Sequence, residues 1–330
     1  MKPFSYVNAA NEKEAVAALG PDRGRFLPLA GGMDLLALMK DYVATPERLV
    51  NVKSLDSRIV RAADGGLKIG AAVTIDDLAN HADVKRLYPA LVQAAEEVGT
   101  PQIRYTGTVG GNLNQRPRCW YFRNEEFDCL KKGGSRCFAK DGENQYHAIF
   151  GDGPCHIIHP SSLAVPAVAL GAKFRVIGPA GEREVAAADY FVMPDKNMFG
   201  ETVLQPNELL THVTLPAPGS AKTATYEVRY KQSHDWPLAA ATVVLDMNGT
   251  TVRAARIVMG AVAPIPWRAR AAEAALVGKT ISEQTAMAAA DAAVQGAKPM
   301  SQNSYKVQIA RTAVKRAIIQ AAGLKPDWGG

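Results

Sequence analysis

The chain has 330 residues, of which 47% are hydrophobic and 21% charged, and a net charge of +6. Such a composition excludes a disordered chain, and the length suggests two or three domains at roughly 100–200 residues each. The basic excess is spread thinly and has no basic–aromatic motif, which argues against nucleic-acid binding, and no apolar run reaches the ~18 residues of a membrane span.

The N-terminal stretch, MKPFSYVNAANEKEAVAALG, has neither the apolar core of a signal peptide nor a twin arginine. The expectation is a cytoplasmic protein by its own sequence, or a periplasmic one if it is exported with a signal-bearing partner. Residues 1–56 read as a small α/β unit. Asn11 caps a helix that runs to Ala18, with Glu12 and Glu14 in its first turn. A strand over 25–29 runs into the turn Ala30-Gly-Gly-Met-Asp, a helix follows over 35–42, and another strand covers 49–52. Residues 57–220 form a second α+β unit. It has an alternating strand over 67–73, helices from Ile75 and over 88–98, a glycine-rich loop over 107–114, an aperiodic polar segment, regular structure over 163–170, and strands over 173–177 and 208–215. The Pro/Gly-rich link at 216–221 is the best boundary. Residues 221–330 then carry strands at 225–231, 239–247 and 252–262 before helices at 268–276, 282–296 and 303–322, with Gly323 as a stop.

Two glycine loops stand out. In Leu27-Pro-Leu-Ala-Gly-Gly-Met-Asp-Leu-Leu36 a strand leads into Gly31-Gly32 and a helix starts near Asp34. Glycines let backbone N–H groups approach a pyrophosphate closely, and a helix N-terminus favours an anion. The second loop, Tyr105 to Asn112, offers the N–H groups of Gly110 and Gly111, the Thr108 hydroxyl and the Asn112 amide. Neither is a dinucleotide fingerprint or a P-loop. Each alone reads as an ordinary turn; as a pair in adjacent α/β units they suit a cofactor with two phosphates.

All four cysteines, Cys119, Cys129, Cys137 and Cys155, fall in the aperiodic segment. Their spacing, C-x9-C-x7-C-x17-C, lacks the close pairs of most structural zinc sites. A four-iron cluster, a zinc site, two disulfides and four unrelated buried thiols all remain open on spacing. Lys131, Lys132 and Arg136 lie where they would offset thiolate charge, or simply face solvent. Trp120, Tyr121, Phe122 and Phe138 are placed to exclude water, or to anchor a loop.

Six segments together point to a family: Ala30-Gly-Gly-Met-Asp-Leu35, Leu67-Lys-Ile-Gly-Ala-Ala-Val-Thr74, Thr108-Val-Gly-Gly-Asn112, His159-Pro-Ser-Ser-Leu-Ala164, Asp235-Trp-Pro-Leu-Ala239 and Trp267-Arg-Ala-Arg-Ala-Ala-Glu273. On these the chain resembles, end to end, the FAD-binding medium subunit of the molybdenum hydroxylases, the xanthine dehydrogenase and carbon monoxide dehydrogenase group. The stretch 113–158, between T-V-G-G-N and H-P-S-S, is longer than most members carry. It resembles the branch with an added [4Fe-4S] cluster, which includes periplasmic aldehyde oxidoreductases and 4-hydroxybenzoyl-CoA reductase.

The resemblance implies an α+β chain: a two-subdomain FAD-binding fold of the vanillyl-alcohol-oxidase/PCMH type, then a carbon monoxide dehydrogenase flavoprotein C-terminal-like domain. It implies FAD contacts at Leu27, Pro28, Leu29, Ala30, Gly31, Gly32, Met33, Asp34, Leu35, Thr108, Gly110, Gly111, Asn112 and Ser162, with Lys231 or Trp236 near the ring system. Met33 and Ser162 stand where the family usually has Thr and Asp. Cluster ligands would be Cys119, Cys129, Cys137 and Cys155. A partner large subunit would hold the molybdenum cofactor and oxidise an aldehyde or heterocycle. A small subunit with two [2Fe-2S] clusters would pass electrons to FAD and thence to an external acceptor, so no residue here is catalytic. Two other readings stand beside this one: a zinc-stapled assembly or binding subunit, and a stand-alone FAD oxidase.

Overall fold

The computed structural model describes residues 1–325; positions 326–330, the end of the expected C-terminal domain, lie outside the described residues. Three sheets follow one another along the chain. Strands β1 (Ser5–Asn8), β2 (Phe26–Leu29) and β3 (Arg48–Asn51) form a parallel sheet in the order β1-β3-β2. Parallel neighbours need a crossover, here supplied by helices Glu12–Ala18 and Leu35–Lys40. Asn11 caps the first of these, its side chain accepting from the Glu14 N–H at 2.9 Å.

The second sheet is antiparallel, ordered β4-β5-β8-β6-β7. It comprises β4 (Ile59–Arg61), β5 (Leu67–Gly70), β6 (Lys173–Gly178), β7 (Gly181–Ala186) and β8 (Leu209–Leu215). Its core joins Leu67, Ile69, Phe174, Val176 and Val213 to helices Ile75–Asn80, Pro89–Glu96 and Ala164–Ala169. The third sheet runs β12-β11-β10-β9 through β9 (Lys222–Val228), β10 (Ala239–Asn248), β11 (Thr251–Gly260) and β12 (Trp267–Arg268). Helix Tyr305–Ala322 packs on it through Ala310, Ala313, Ala317 and Ile318, and small side chains let helix and sheet approach closely. Gly323, with φ of 72°, closes that helix. The signature 267–273 holds this domain together. The Glu273 carboxylate accepts from the Ile257 N–H at 3.0 Å and from Arg268 at 2.8 Å, fastening helix Arg270–Leu276 to β11.

Several boundaries differ from expectation. The strand expected over 67–73 ends at Gly70, because Asp56 crosses there so closely that a Cβ on Gly70 would lie 2.1 Å from its carbonyl oxygen. The glycine-rich loop expected over 107–114 is helical from Val109 to Leu113. Strand β7 was not expected; its side chains are mostly exposed, so it has no apolar alternation. Among the described residues no helix is long and apolar enough to cross a membrane.

The cysteine segment has little regular structure and is fastened to the C-terminal domain instead. The Asn144 side chain donates to Ser301 Oγ and accepts from the Gln302 N–H, both at 2.9 Å. Asn303 donates to the carbonyls of His147 and Ala148. Lys306 is 1% exposed, and its ammonium donates to the carbonyls of Ala261 (2.7 Å), His147 (3.1 Å) and Tyr146 (3.3 Å). Burial pushes its pKa down to about 7. Lys306→Met should therefore cost about 3 kcal/mol by orphaning buried carbonyls. A lower urea midpoint and faster amide exchange over 144–149 are the expected outcome; an unchanged midpoint would count against this anchoring.

Candidate functional site

A cavity of about 450 Å³ opens where the first two sheets and the start of the third domain meet. Residues Leu27 to Leu35 all line it, as do Thr108, Gly110, Gly111, Asn112 and Ser162. The two glycine loops touch. A Cβ on Gly31 would lie 2.1 Å from the Thr106 carbonyl oxygen, and Gly32 has φ of 74°, so both positions require glycine. The backbone N–H groups from Gly31 to Leu35 have no acceptor among the described residues. They are the free donors of the cavity.

The second loop differs from expectation. The Gly110 N–H donates to the Ala71 carbonyl at 2.8 Å, and the Gly111 N–H to Thr108 Oγ1 at 3.0 Å. Thr108 thus caps the short helix 109–113, and these glycines serve close packing instead of offering donors. A Cβ on Gly110 would sit 2.8 Å from the Ala71 Cβ. Asn112 turns inward, its Oδ1 accepting from Ser161 Oγ at 2.6 Å. Ser162 is buried in the wall. Trp236 lines the cavity together with His234 and Asp235, but Lys231 does not: it sits on an exposed turn, where its N–H donates to Asp235.

Asp34 does not cap the helix it precedes. Its carboxylate instead accepts from Arg118 Nη1 and Arg123 Nη2, both at 2.5 Å, and from the Arg116 N–H at 2.7 Å. Burial pushes the Arg118 pKa down to about 10 against the pull of Asp34. The same guanidinium lies over the Trp236 ring, 4.6 Å from its centroid. Arg118 therefore touches the large cavity and immediately precedes Cys119. Neither arginine was given a role from sequence, although the stretch Arg118-Cys-Trp-Tyr-Phe resembles the aldehyde oxidoreductase type; the signal available is that the two flank Cys119 at 118 and 123.

All four cysteines line a second, small cavity of about 10 Å³, with Tyr121, Phe122 and His147 around it. Leu38, Phe122 and Cys129 pack as one cluster, joining the helix after the first glycine loop to the thiols. The sulfur environments differ. Burial pushes Cys119 up to about 11. The Cys155 thiol hydrogen-bonds Cys137, lowering Cys137 and raising Cys155. Of the three cations, Lys131 is not solvated but buried on Glu201 at 2.8 Å in the wall of the cysteine cavity, where its charge favours the Cys155 thiolate, whereas Arg136 is exposed and stacks on Phe138. No group of three Cys, His, Asp or Glu side chains among the described residues is set as a single metal ion requires. The donor set suits a thiolate-bound cluster, and the small cavity would have to open to admit one.

Comparison with known proteins gives the family. Residues 2–218 match the family described as the FAD binding domain in molybdopterin dehydrogenase, and residues 224–321 match the CO dehydrogenase flavoprotein C-terminal domain. The chain belongs to the FAD-binding medium subunits of the xanthine dehydrogenase and CO dehydrogenase family, a family of oxidoreductases. It is 35% identical to the aldehyde oxidoreductase FAD-binding subunit PaoB of Escherichia coli K12, over 97% of this chain and 99% of that one. It is 29% identical to the carbon monoxide dehydrogenase medium chain of Hydrogenophaga pseudoflava, with 96% of each covered. A solved CO dehydrogenase from Oligotropha carboxidovorans superposes with a TM-score of 0.77 at 26% identity, covering 98% of this chain and 99% of that one.

Two outcomes are expected here. Asp34→Asn should cost about 2 kcal/mol, less than a fully buried pair because both guanidiniums keep some solvent access. Amide exchange should accelerate in both 31–35 and 116–123; acceleration in one stretch alone would mean that the two are not coupled. His159 is buried against Phe191, and burial lowers its pKa from 6.5 to about 4. A depressed folded pKa means that the unfolded chain binds more protons below pH ~6.5, so stability is full above that pH and falls as pH drops toward ~4. His159→Gln should lose less stability than the parent between about pH 7.5 and about pH 5 in thermal unfolding; equal losses would remove His159 as the titrating group.

Proposed function

We propose that this chain is the FAD- and [4Fe-4S]-bearing electron-transfer subunit of a molybdenum-dependent aldehyde oxidoreductase. Its partners are a large subunit with the molybdenum cofactor and a small subunit with [2Fe-2S] clusters. The observation that carries this reading is the link between two cavities: Asp34 and Arg118 line one that has five free backbone donors, and Arg118 directly precedes Cys119, which lines the other together with the remaining cysteines of the chain.

When bound, FAD supplies the chemistry of taking up electrons from the partner centres and releasing them to an external acceptor. The chain's own part is binding and orientation. The N–H groups of 31–35 would hold the pyrophosphate. Met33 has no hydroxyl to contribute there, and backbone donors suffice. Ser162 would offer an uncharged hydroxyl where an Asp would offer a charged carboxylate. Trp236, under Arg118, forms part of the cavity wall beside the cysteine segment. Cys119, Cys129, Cys137 and Cys155 are the cluster ligands, and the rings of Tyr121, Phe122 and Phe138 keep water from them. The aldehyde class follows from the relative at 35% identity, whose name carries that activity.

Co-expression with the two partner chains, then flavin and iron analysis, tests this. The expected result is one FAD and four irons assigned to this chain. Cys119→Ser and Cys155→Ser should abolish the four-iron electron paramagnetic resonance signal and leave the flavin band. Gly31→Val, which drives a side chain into the Thr106 carbonyl, should release the flavin and leave the iron. A colourless chain with one zinc would establish the zinc-stapled reading instead, and a flavin-loaded chain that turns over without partners would establish the oxidase.

A further inference from the structure

We propose that His147 is the side-chain hydrogen-bond donor to the Cys119 sulfur and that it sets the reduction potential of the four-thiolate centre. The inference rests on the cluster reading above.

His147 Nε2 lies 3.3 Å from Cys119 Sγ. The ring is held from several sides. The His147 backbone N–H donates to the Asn144 carbonyl at 2.9 Å, and its carbonyl is gripped by Asn303 and Lys306, each at 3.1 Å. Trp120 stands edge-on at 5.8 Å, and Tyr121 lies at 6.2 Å. With backbone and ring both fenced, the imidazole has little room to swing away from the sulfur.

The tautomer follows from what each ring nitrogen meets. Nδ1 is buried and has no partner among the described residues. A neutral imidazole carries one N–H. A proton on Nδ1 would leave a buried donor unsatisfied and turn a bare lone pair toward a ligand thiolate. A proton on Nε2 gives the donor its acceptor and leaves only an unused lone pair at Nδ1, the cheaper arrangement. A thiolate at Cys119 therefore selects the Nε2–H form.

The other donors to Cys119, Cys137 and Cys155 are main chain or another cysteine. Tyr121 and Phe122 amides reach Cys119, those of Ala139 and His156 reach Cys137, and that of Ile157 reaches Cys155. His147 is thus, among the described residues, the one non-cysteine side chain that donates to the centre. An N–H···S bond strengthens as negative charge on the sulfur grows, so it favours the reduced state and raises the potential.

The test uses the assembled complex and electron paramagnetic resonance redox titration of the four-iron signal, with no activity readout. His147→Phe keeps the ring shape and removes the donor; its midpoint should move to a more negative value at unchanged iron content. His147→Gln restores an N–H and should recover part of the shift. An unchanged midpoint in His147→Phe overturns the proposal. If both variants lose iron, the parent complex labelled with nitrogen-15 histidine decides by pulsed resonance. A weak nitrogen coupling with an exchangeable proton is expected. No coupling, or the strong coupling of a bound imidazole, overturns the donor role. Iron analysis of the parent complex comes first: absence of the four-iron centre there defeats the cluster reading itself, a result distinct from a present centre that ignores His147.

Discussion

The Asp34 carboxylate accepts from two guanidiniums and one amide, all belonging to residues 116–123, while its own backbone belongs to the first glycine loop. That geometry decides what the loop can do. An Asp in this position would ordinarily accept from the N–H groups of the helix it precedes. Here it makes no such bond, so the amides of 31–35 stay open toward the cavity. An unneutralised carboxylate beside them would repel any anion they attract. Arg118 and Arg123 remove that repulsion and fix the cysteine segment against the loop at the same stroke. The Leu38–Phe122–Cys129 cluster continues the contact in apolar form. The two proposed redox sites are thus neighbours because one side chain was diverted from its local role.

The two glycine loops, similar on paper, divide the work. The first must expose donors. The second must let the first come close: its short helix abuts Ala71, and the preceding Thr106–Gly107 backbone presses on Gly31. A side chain at either contact would separate the two α/β units and widen the cavity between them. Thr108 and Gly111 satisfy each other instead of a ligand. The wall is therefore rigid before anything binds, which lowers the ordering cost of binding.

Much of the fold could be read from the chain because its signals are local. The Asn11 cap and the 303–322 helix with its Gly323 stop follow from residues within a turn of one another. The two glycine loops of the cavity were legible for the same reason, since glycine runs mark close approach, whereas Ser162 was legible only through the family resemblance. What escaped depends on partners far apart in sequence. Nothing near Asp34 reveals that its acceptors are taken up by residues more than eighty positions away. Nothing near Lys131 reveals Glu201, which turns an apparent surface cation into a buried ion pair. Lys231 looked close to the ring system because it neighbours Trp236 in sequence, but the turn between them sends it outward to solvent. Exposed strand β7 lacked the apolar alternation that periodicity detects.

The placement of the cysteines has a physical logic of its own. The segment 113–158 leaves the fold just after Asn112 and returns just before His159, and the Asn112 side chain bonds Ser161 at 2.6 Å. Its two ends are therefore stapled together at a buried hydrogen bond within the cavity wall. A loop closed at its neck adds little entropy cost as it lengthens, about 0.6 kcal/mol for each doubling. The wall does not sense how much chain lies beyond the staple. The insertion then gains its order elsewhere, from Asp34 on one side and from Asn144, Asn303 and Lys306 on the other. Both anchors use charged or amide groups, and each is backed by apolar contacts, Phe122 and Cys129 against Leu38 on one side and Ile149 and Phe150 in the C-terminal core on the other. Such a segment can hold four thiols beside an existing cofactor site without repacking it, and it would lose its shape if either anchor were released.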